Sequence, residues 1–294
     1  MKKQSILTED WDSLIILDAC RYDFFEKTYT DYLEGKLEKR ISRGSSTGEW
    51  LEKTFTGKYD ITYISSNPYI NSLGMPLKKC NKNYKYEWNA IDHFSKIVDV
   101  WSSGWNEELK TVTPEEMNNA FFSQEPSKTI IHYMQPHKPY ISLGLGRSWA
   151  GRIGLWGSWS GTRSSVKGKS GEQKHKVQFF VQNKLKPTVA KILGKKRTRK
   201  LKRNISTLDP LKAAEEGGEK ELETLKYYYE DNLRLALAQV KELVKKTEGK
   251  TIITADHGEA FGEEGVWGHG IELPTKVLRE TPWFKVKGIV DPKS

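Results

Sequence analysis

The feature that most constrains this chain is a helix-to-strand step close to its C-terminal end. Between residues 219 and 246, Leu222, Leu225, Tyr229, Leu233, Leu235, Leu237, Val240 and Leu243 form an apolar stripe with Lys and Glu on the other side, which predicts one long amphipathic helix. The helix ends at Gly249 and feeds a short β-rich run, Thr251 to Thr254. An αβ step of this kind belongs to a parallel sheet. Asp256 and His257 stand together where the run ends, which is where open α/β sheets keep their ligand sites. Gly258, Gly262, Gly265, Gly268 and Gly270 then let the backbone bend close to a bound group, with Glu259, Glu263, Glu264 and His269 in reach. A carboxylate beside an imidazole, with His269 twelve residues on, offers oxygen and nitrogen ligands suited to Mn²⁺, Zn²⁺ or a similar ion. Read alone, the stretch also fits a glycine-rich surface loop with acidic decoration.

Other segments bring the same chemistry to other strand ends. Residues 14–17 are apolar without alternation, as in a central parallel strand covered on both faces, and Asp18 follows them with Arg21 just beyond. The ordinary role for Asp18 is the N-cap of a helix expected over 21–33. A hydroxyl-rich turn containing Ser45, Ser46 and Thr47 opens a second helix, whose N-terminus favours an anion. Its ordinary reading is a Ser or Thr cap with Glu49 in the first turn. Further strands are expected from Tyr59 and from residue 128, the latter ending on His132, His137 and two prolines that fix the exit loop. Thr113 and Pro114 mark a helix start. Residues 74–107 show little periodicity and are expected to cover the sheet, and the strand from Pro282 is expected near an edge.

With 294 residues, 36% hydrophobic and 11% aromatic, the chain is expected to form one α/β domain over 1–294, its mostly parallel central sheet flanked by helices, with an insertion at 141–209. The net charge of +10 is concentrated there. Residues 147–203 hold 17 Lys and Arg and one acid, a net +16, which leaves −6 on the rest. Solvation alone, attraction to an anionic membrane or glycolipid, and nucleic-acid backbone binding all fit such a segment. Cys20 and Cys80 are too few for a disulfide framework and suggest a reducing compartment, with one bridge left open. No signal peptide is expected, and no run approaches the ~20 apolar residues of a membrane span. The expected location is therefore cytoplasmic, or peripheral at a membrane.

Asp18, His132, His137, Asp256 and His257 at three strand ends, with Thr47 at a helix start, make the collection that metal-assisted phosphoryl or sulfuryl transfer requires. The imidazoles and Arg21 or Arg43 are the expected ligands of the remaining substrate oxygens.

Four motifs in this order resemble the alkaline phosphatase superfamily, in its sulfatase-like branch of sulfatases, phosphodiesterases, phosphonate monoester hydrolases and lipoteichoic acid synthases. They are the strand ending in Asp18 with Arg21 after it, Ser46-Thr47 ten residues before Gly57, the loop from His132 through His137 to Tyr140, and the long helix leading to Asp256-His257 and then Gly268-His269-Gly270. The resemblance covers roughly residues 10–140 and 220–290. It implies an alkaline phosphatase-like fold, Thr47 as the nucleophile of a covalent phospho-enzyme, and one divalent ion (Mn, Zn or Mg) held by Asp18, Thr47, Asp256 and His257. It assigns Arg21, His132, His137 and His269 to substrate, His137 with a catalytic part, and leaves room for a second ion. The Cys-x-Pro-x-Arg signature of formylglycine sulfatases is absent, as is the Asp and His spacing of the second metal in two-zinc phosphodiesterases.

The expected activity is metal-dependent phosphoester hydrolysis or phosphotransfer, on a phosphorylated glycan or lipid headgroup. The alternatives are sulfate ester hydrolysis, and a non-catalytic family member that binds anionic membrane or nucleic acid through its basic insertion.

Overall fold

A seven-stranded sheet organises the computed structural model, which describes residues 1–125, 127–143 and 210–290. Its strands are β1 (Ser13–Leu17), β2 (Leu33–Ile41), β3 (Tyr59–Ser65), β4 (Phe94–Asp99), β5 (Thr129–Tyr133), β6 (Thr251–Thr254) and β7 (Glu280–Ile289), in the spatial order β2-β7-β6-β1-β5-β3-β4. The five from β6 to β4 run parallel; β7 lies antiparallel to β6, and β2 antiparallel to β7. The architecture is the α/β class expected, a mostly parallel sheet flanked by helices.

Period-two alternation within buried strands divides the core between two faces. Ile15, Leu17, Ile131 and Ile253 pack with Leu233, Leu237 and Val240 of the long helix α4 (Glu219–Val244) on one side. Leu14, Ile16, Ile130 and Ile252 pack with Trp50, Leu51, Phe55, Trp88 and Phe94 on the other. Both sides of the central strands are covered, so they read as unbroken apolar runs. Of the intervening helices, α1 (Tyr22–Thr28) leaves β1, α2 (Thr47–Thr54) follows the hydroxyl-rich turn, and α3 (Pro114–Phe122) starts as expected, with Thr113 Oγ1 accepting from Glu116 N at 3.3 Å.

Two expectations fail in detail. The helix from residue 21 stops at Thr28, and after a turn over Tyr29–Asp31 the chain becomes β2, because that segment can add an antiparallel partner to β7. β7 lies next to this edge strand, near the edge as expected, and β2 and β4 form the edges. β4 itself lies within 74–107, where periodicity gave no strand; the rest of that region does cover the sheet, through Leu77, Tyr84 and Trp88.

Cys20 and Cys80 are buried free thiols in separate clusters, so the bridge left open is not formed. No helix among the described residues is long and apolar enough to cross a membrane. The basic segment 147–203, and with it the membrane and nucleic-acid readings, lies outside the described residues.

Candidate active site

The central strands set the site. In register, Ile16 lies against Thr254 and against His132, so the residues that follow β1 and β6 emerge at one edge of the sheet. Asp18 comes directly after β1, and Asp256 and His257 come just after β6. Ala19 then turns the backbone sharply, with φ of 56°, and its N–H donates to Asp256 Oδ1 at 3.0 Å. Tyr229 of α4 clasps this turn, donating to the Ala19 carbonyl at 2.6 Å and accepting from Arg21 N at 2.9 Å. Asp18 therefore does not cap α1, whose cap position is Arg21.

Thr47 enters from the other side of the sheet as the first residue of α2. Its Oγ1 donates to Asp256 Oδ2 at 2.8 Å and lies 3.3 Å from His257 Nε2. His257 Nε2 is also 3.4 Å from Asp256 Oδ2 and 4.0 Å from Asp18 Oδ1. The structure thus brings Asp18, Thr47, Asp256 and His257 together across more than 200 residues of chain.

Hydrogen bonds place one proton on each of two rings. His257 Nδ1 faces the Gly258 carbonyl at 2.7 Å, and a carbonyl only accepts, so Nδ1 carries a proton and Nε2 is the nitrogen turned to the two carboxylates. His137 has the same arrangement, with Nδ1 on the Lys138 carbonyl. Asp18 accepts from Asn67 Nδ2 at 2.8 Å. Burial raises the Asp18 pKa, but His132, His137 and His257 together hold it well below the usual carboxylate range. No Lys or Arg nitrogen among the described residues pairs with Asp18 or Asp256, although both are buried. Two buried carboxylates without a fixed cation are costly unless a cation joins them. Carboxylate oxygen with imidazole nitrogen is a donor set that Mn²⁺ or Zn²⁺ fits.

A second group stands beside the first. His137, Glu259 and His269 bring their ligand atoms within 4.8 Å of one another, as do Asp18, His132 and Asp256. The rings of His257 and His269 are 4.4 Å apart, and those of His137 and His269 are 5.2 Å apart. Burial works against ionisation at Glu259, yet the contact with His269, at 3.2 Å from both carboxylate oxygens, holds its pKa at about 2. A cleft of about 440 Å³ opens over both groups and is lined by Asp18, Ser46, Thr47, Tyr84, His137, Glu259 and His269 among others.

Three residues expected at the substrate lie elsewhere. Arg21 turns its guanidinium to Asp23 (2.8 Å), Glu263 (2.7 Å) and the Glu259 carbonyl (3.2 Å), because two carboxylates and the Phe24 and Phe261 rings surround it. Arg43 bonds the Lys53 carbonyl and lines a separate small pocket. His132 is fully buried behind the carboxylates, its Nδ1 on the Tyr63 hydroxyl at 2.9 Å and its Nε2 3.5 Å from Asp18 Oδ2 and 3.9 Å from Asp256 Oδ2. It belongs with the acids rather than with substrate. His137 and His269 do line the cleft.

Asn67 and Glu259 are site residues that the sequence reading gave no role of their own. Glu259 lay in plain view, next to His257 and Gly258; Asn67 offered only its place at the end of an expected strand.

No family model matches the chain, and no curated protein matches it. Among solved structures, the soluble domain of lipooligosaccharide phosphoethanolamine transferase A from Neisseria meningitidis is similar at 11% identity over 96% of this chain and 79% of that one, with a TM-score of 0.45. The chain spans 49% of the integral membrane form of that transferase. A phosphonate monoester hydrolase from Silicibacter pomeroyi is similar at 13% identity over 94% of this chain and 67% of that one, with a TM-score of 0.42. A protein from Vibrio parahaemolyticus, described as belonging to the alkaline phosphatase superfamily, is similar at 11% identity over 96% of this chain and 61% of its own, with a TM-score of 0.42.

Proposed function

We propose that the chain is a metal-dependent phosphoester hydrolase or phosphotransferase that works through Thr47. The hydrogen bond from Thr47 Oγ1 to Asp256 Oδ2 carries this reading. A hydroxyl already bonded to a carboxylate has a route for its proton: Asp256 Oδ2 takes it as Oγ1 bonds phosphorus and the ester oxygen departs. Water or an alcohol then displaces Thr47 from the phosphothreonine, giving hydrolysis or transfer. A divalent ion held by Asp18, Thr47, Asp256 and His257 would lower the hydroxyl's pKa and screen the phosphoryl oxygens.

The two imidazoles that line the cleft fit complementary duties. Burial pushes both toward the neutral form; it prevails at His137, whereas Glu259 overrules it and raises the pKa of His269. His269 is suited to protonating the leaving oxygen, and His137 to taking a proton from the acceptor. Should His137, Glu259 and His269 hold a second ion instead, the two imidazole nitrogens and the Glu259 carboxylate would serve as its ligands. A cleft of about 440 Å³ accommodates a headgroup or sugar phosphate. The +16 charge of residues 147–203 favours a substrate presented on an anionic surface.

The test is a panel of phosphomonoester, phosphodiester and sulfate esters with Mn²⁺ or Zn²⁺, quenched in acid and searched by mass spectrometry for phosphothreonine at residue 47. Turnover in Thr47→Ala equal to the parent would sink the reading.

A further inference from the structure

An anionic phosphoryl group needs hydrogen-bond donors, and neither Arg21 nor Arg43 turns toward the cleft. The end of the cleft next to Thr47 offers hydroxyls instead. Ser46 occupies the N-cap position of α2, yet its side chain caps nothing. Ser46 lines the cleft, and its Oγ is buried and has no hydrogen-bond partner of good geometry, although the Tyr84 hydroxyl is its neighbour. A buried hydroxyl in this condition calls for a partner such as a ligand, an ion or a water, and among the described residues Ser46 is the one of this kind that lines the cleft.

Tyr84 stands over the same helix start. Its oxygen accepts from Gly48 N at 3.2 Å, which leaves its own O–H to donate elsewhere. The ring is held edge-on to Tyr69, with centroids 5.4 Å apart, and stacked on Tyr86 at 5.7 Å. It passes so close to Gly48 that a Cβ there would lie 2.5 Å from the phenol carbon Cζ. Only glycine at this place in the first turn lets the phenol come this near to the nucleophile.

We propose that Ser46 Oγ and the Tyr84 hydroxyl donate to the non-bridging oxygens of the phosphoryl group that Thr47 attacks. This role rests on the reading of Thr47 given above. Neutral donors then do the work expected of a guanidinium, and they suit a site whose walls already include Asp18 and Glu259. Preorganised donors of this kind act on the charge that develops in the transition state, so their loss falls mainly on kcat.

The test uses the full chain loaded with Mn²⁺, bis(p-nitrophenyl) phosphate as substrate and orthovanadate as the anion probe. Tyr84→Phe keeps the ring packing, Ser46→Ala removes only the hydroxyl, and Ser46→Thr restores it. The expected result is a fall in kcat on the order of 100-fold for each of the first two, with KM little changed, weaker vanadate inhibition, an unchanged thermal midpoint in Ser46→Ala, a modestly lower one in Tyr84→Phe, which loses the bond from Gly48 N, and recovery in Ser46→Thr. Gly48→Ala should resemble Tyr84→Phe by displacing the phenol. Parental kcat and vanadate inhibition in both variants, with Thr47→Ala inactive, would overturn the donor role and leave the nucleophile standing. A parent no more active than Thr47→Ala would overturn the nucleophile. Direct vanadate binding then decides on the donors: weakened binding in the variants keeps them as an anion site, and equal binding removes them.

Discussion

Asn232 Nδ2 donates to the carbonyl of His137 at 3.1 Å, from a helix position 95 residues further along the chain. The same amide reaches the Pro136 and Pro139 carbonyls, both at 3.2 Å, and its Oδ1 accepts from Ile141 N at 3.0 Å. One buried side chain thus satisfies the backbone of the loop that presents His137 to the cleft. Asn232→Ala should cost about 2 kcal/mol in stability by leaving these groups unmatched, and should lower kcat further than that loss explains. Denaturant midpoints and steady-state kinetics on the same samples check this. A destabilised variant with parental kcat would limit Asn232 to a packing role.

Arg21 yields a prediction of the opposite kind. Its side chain is buried between Asp23 and Glu263 and points away from the cleft. The guanidinium is buried but Asp23 and Glu263 reach solvent and stay solvated without it, so Arg21→Ala should lower stability by about 1–2 kcal/mol, through lost packing and hydrogen bonds. KM for a phosphoester should stay near the parent's. A large rise in KM with little change in unfolding would return Arg21 to the substrate.

What was legible in the sequence follows from physics. β1, β5 and β6 are covered on both faces, so solvent leaves no polar mark on them, and the acids and imidazoles at their ends stand out against apolar runs. β2 was hidden because Leu33 and Leu37 are four residues apart with Glu34 and Lys36 between, a helical pattern; only pairing with β7, some 240 residues away, makes it a strand. Arg21 beside a metal-type acid looks like a substrate ligand when Glu263, 242 residues further on, is invisible. Asn232 left a faint mark, one polar residue beside Tyr229 and Leu233 in an apolar stripe. Tyr84 left none, since nothing in its neighbours' pattern says that it folds back over Gly48.

Metal should be felt in stability as well as activity. With Asp18 and Asp256 buried beside His257, binding of Mn²⁺ or Zn²⁺ at 100 times its dissociation constant should add about 2.7 kcal/mol. Calorimetric scans should show a rise in midpoint on titration with the ion and its reversal by a chelator. Asp256→Asn should abolish the rise. A midpoint indifferent to both ions in the parent would remove the cation from the site.

Glu49 ties the nucleophile's helix to the loop beyond His269. Its Oε2 accepts from Ser45 N at 2.9 Å, Ser45 Oγ at 2.8 Å and Glu272 N at 3.0 Å, while Oε1 meets Lys53 Nζ at 2.6 Å. Burial raises the Glu49 pKa, but Lys53 and these donors outweigh it and lower the pKa below the ordinary 4.5. A carboxyl that ionises more readily when folded binds fewer protons folded than unfolded across that interval. Its contribution is therefore complete above pH 4.5 and is lost as pH falls through the lowered folded value. Glu49→Gln should accordingly be less stable than the parent at pH 7, and the gap should narrow below pH 4.5 as the parent protonates. Chemical denaturation of both proteins at a series of pH values measures the gap directly. A gap that stays constant down to pH 3, roughly 1.5 units below the ordinary glutamate pKa, would mean that packing at residue 49 matters and its charge does not.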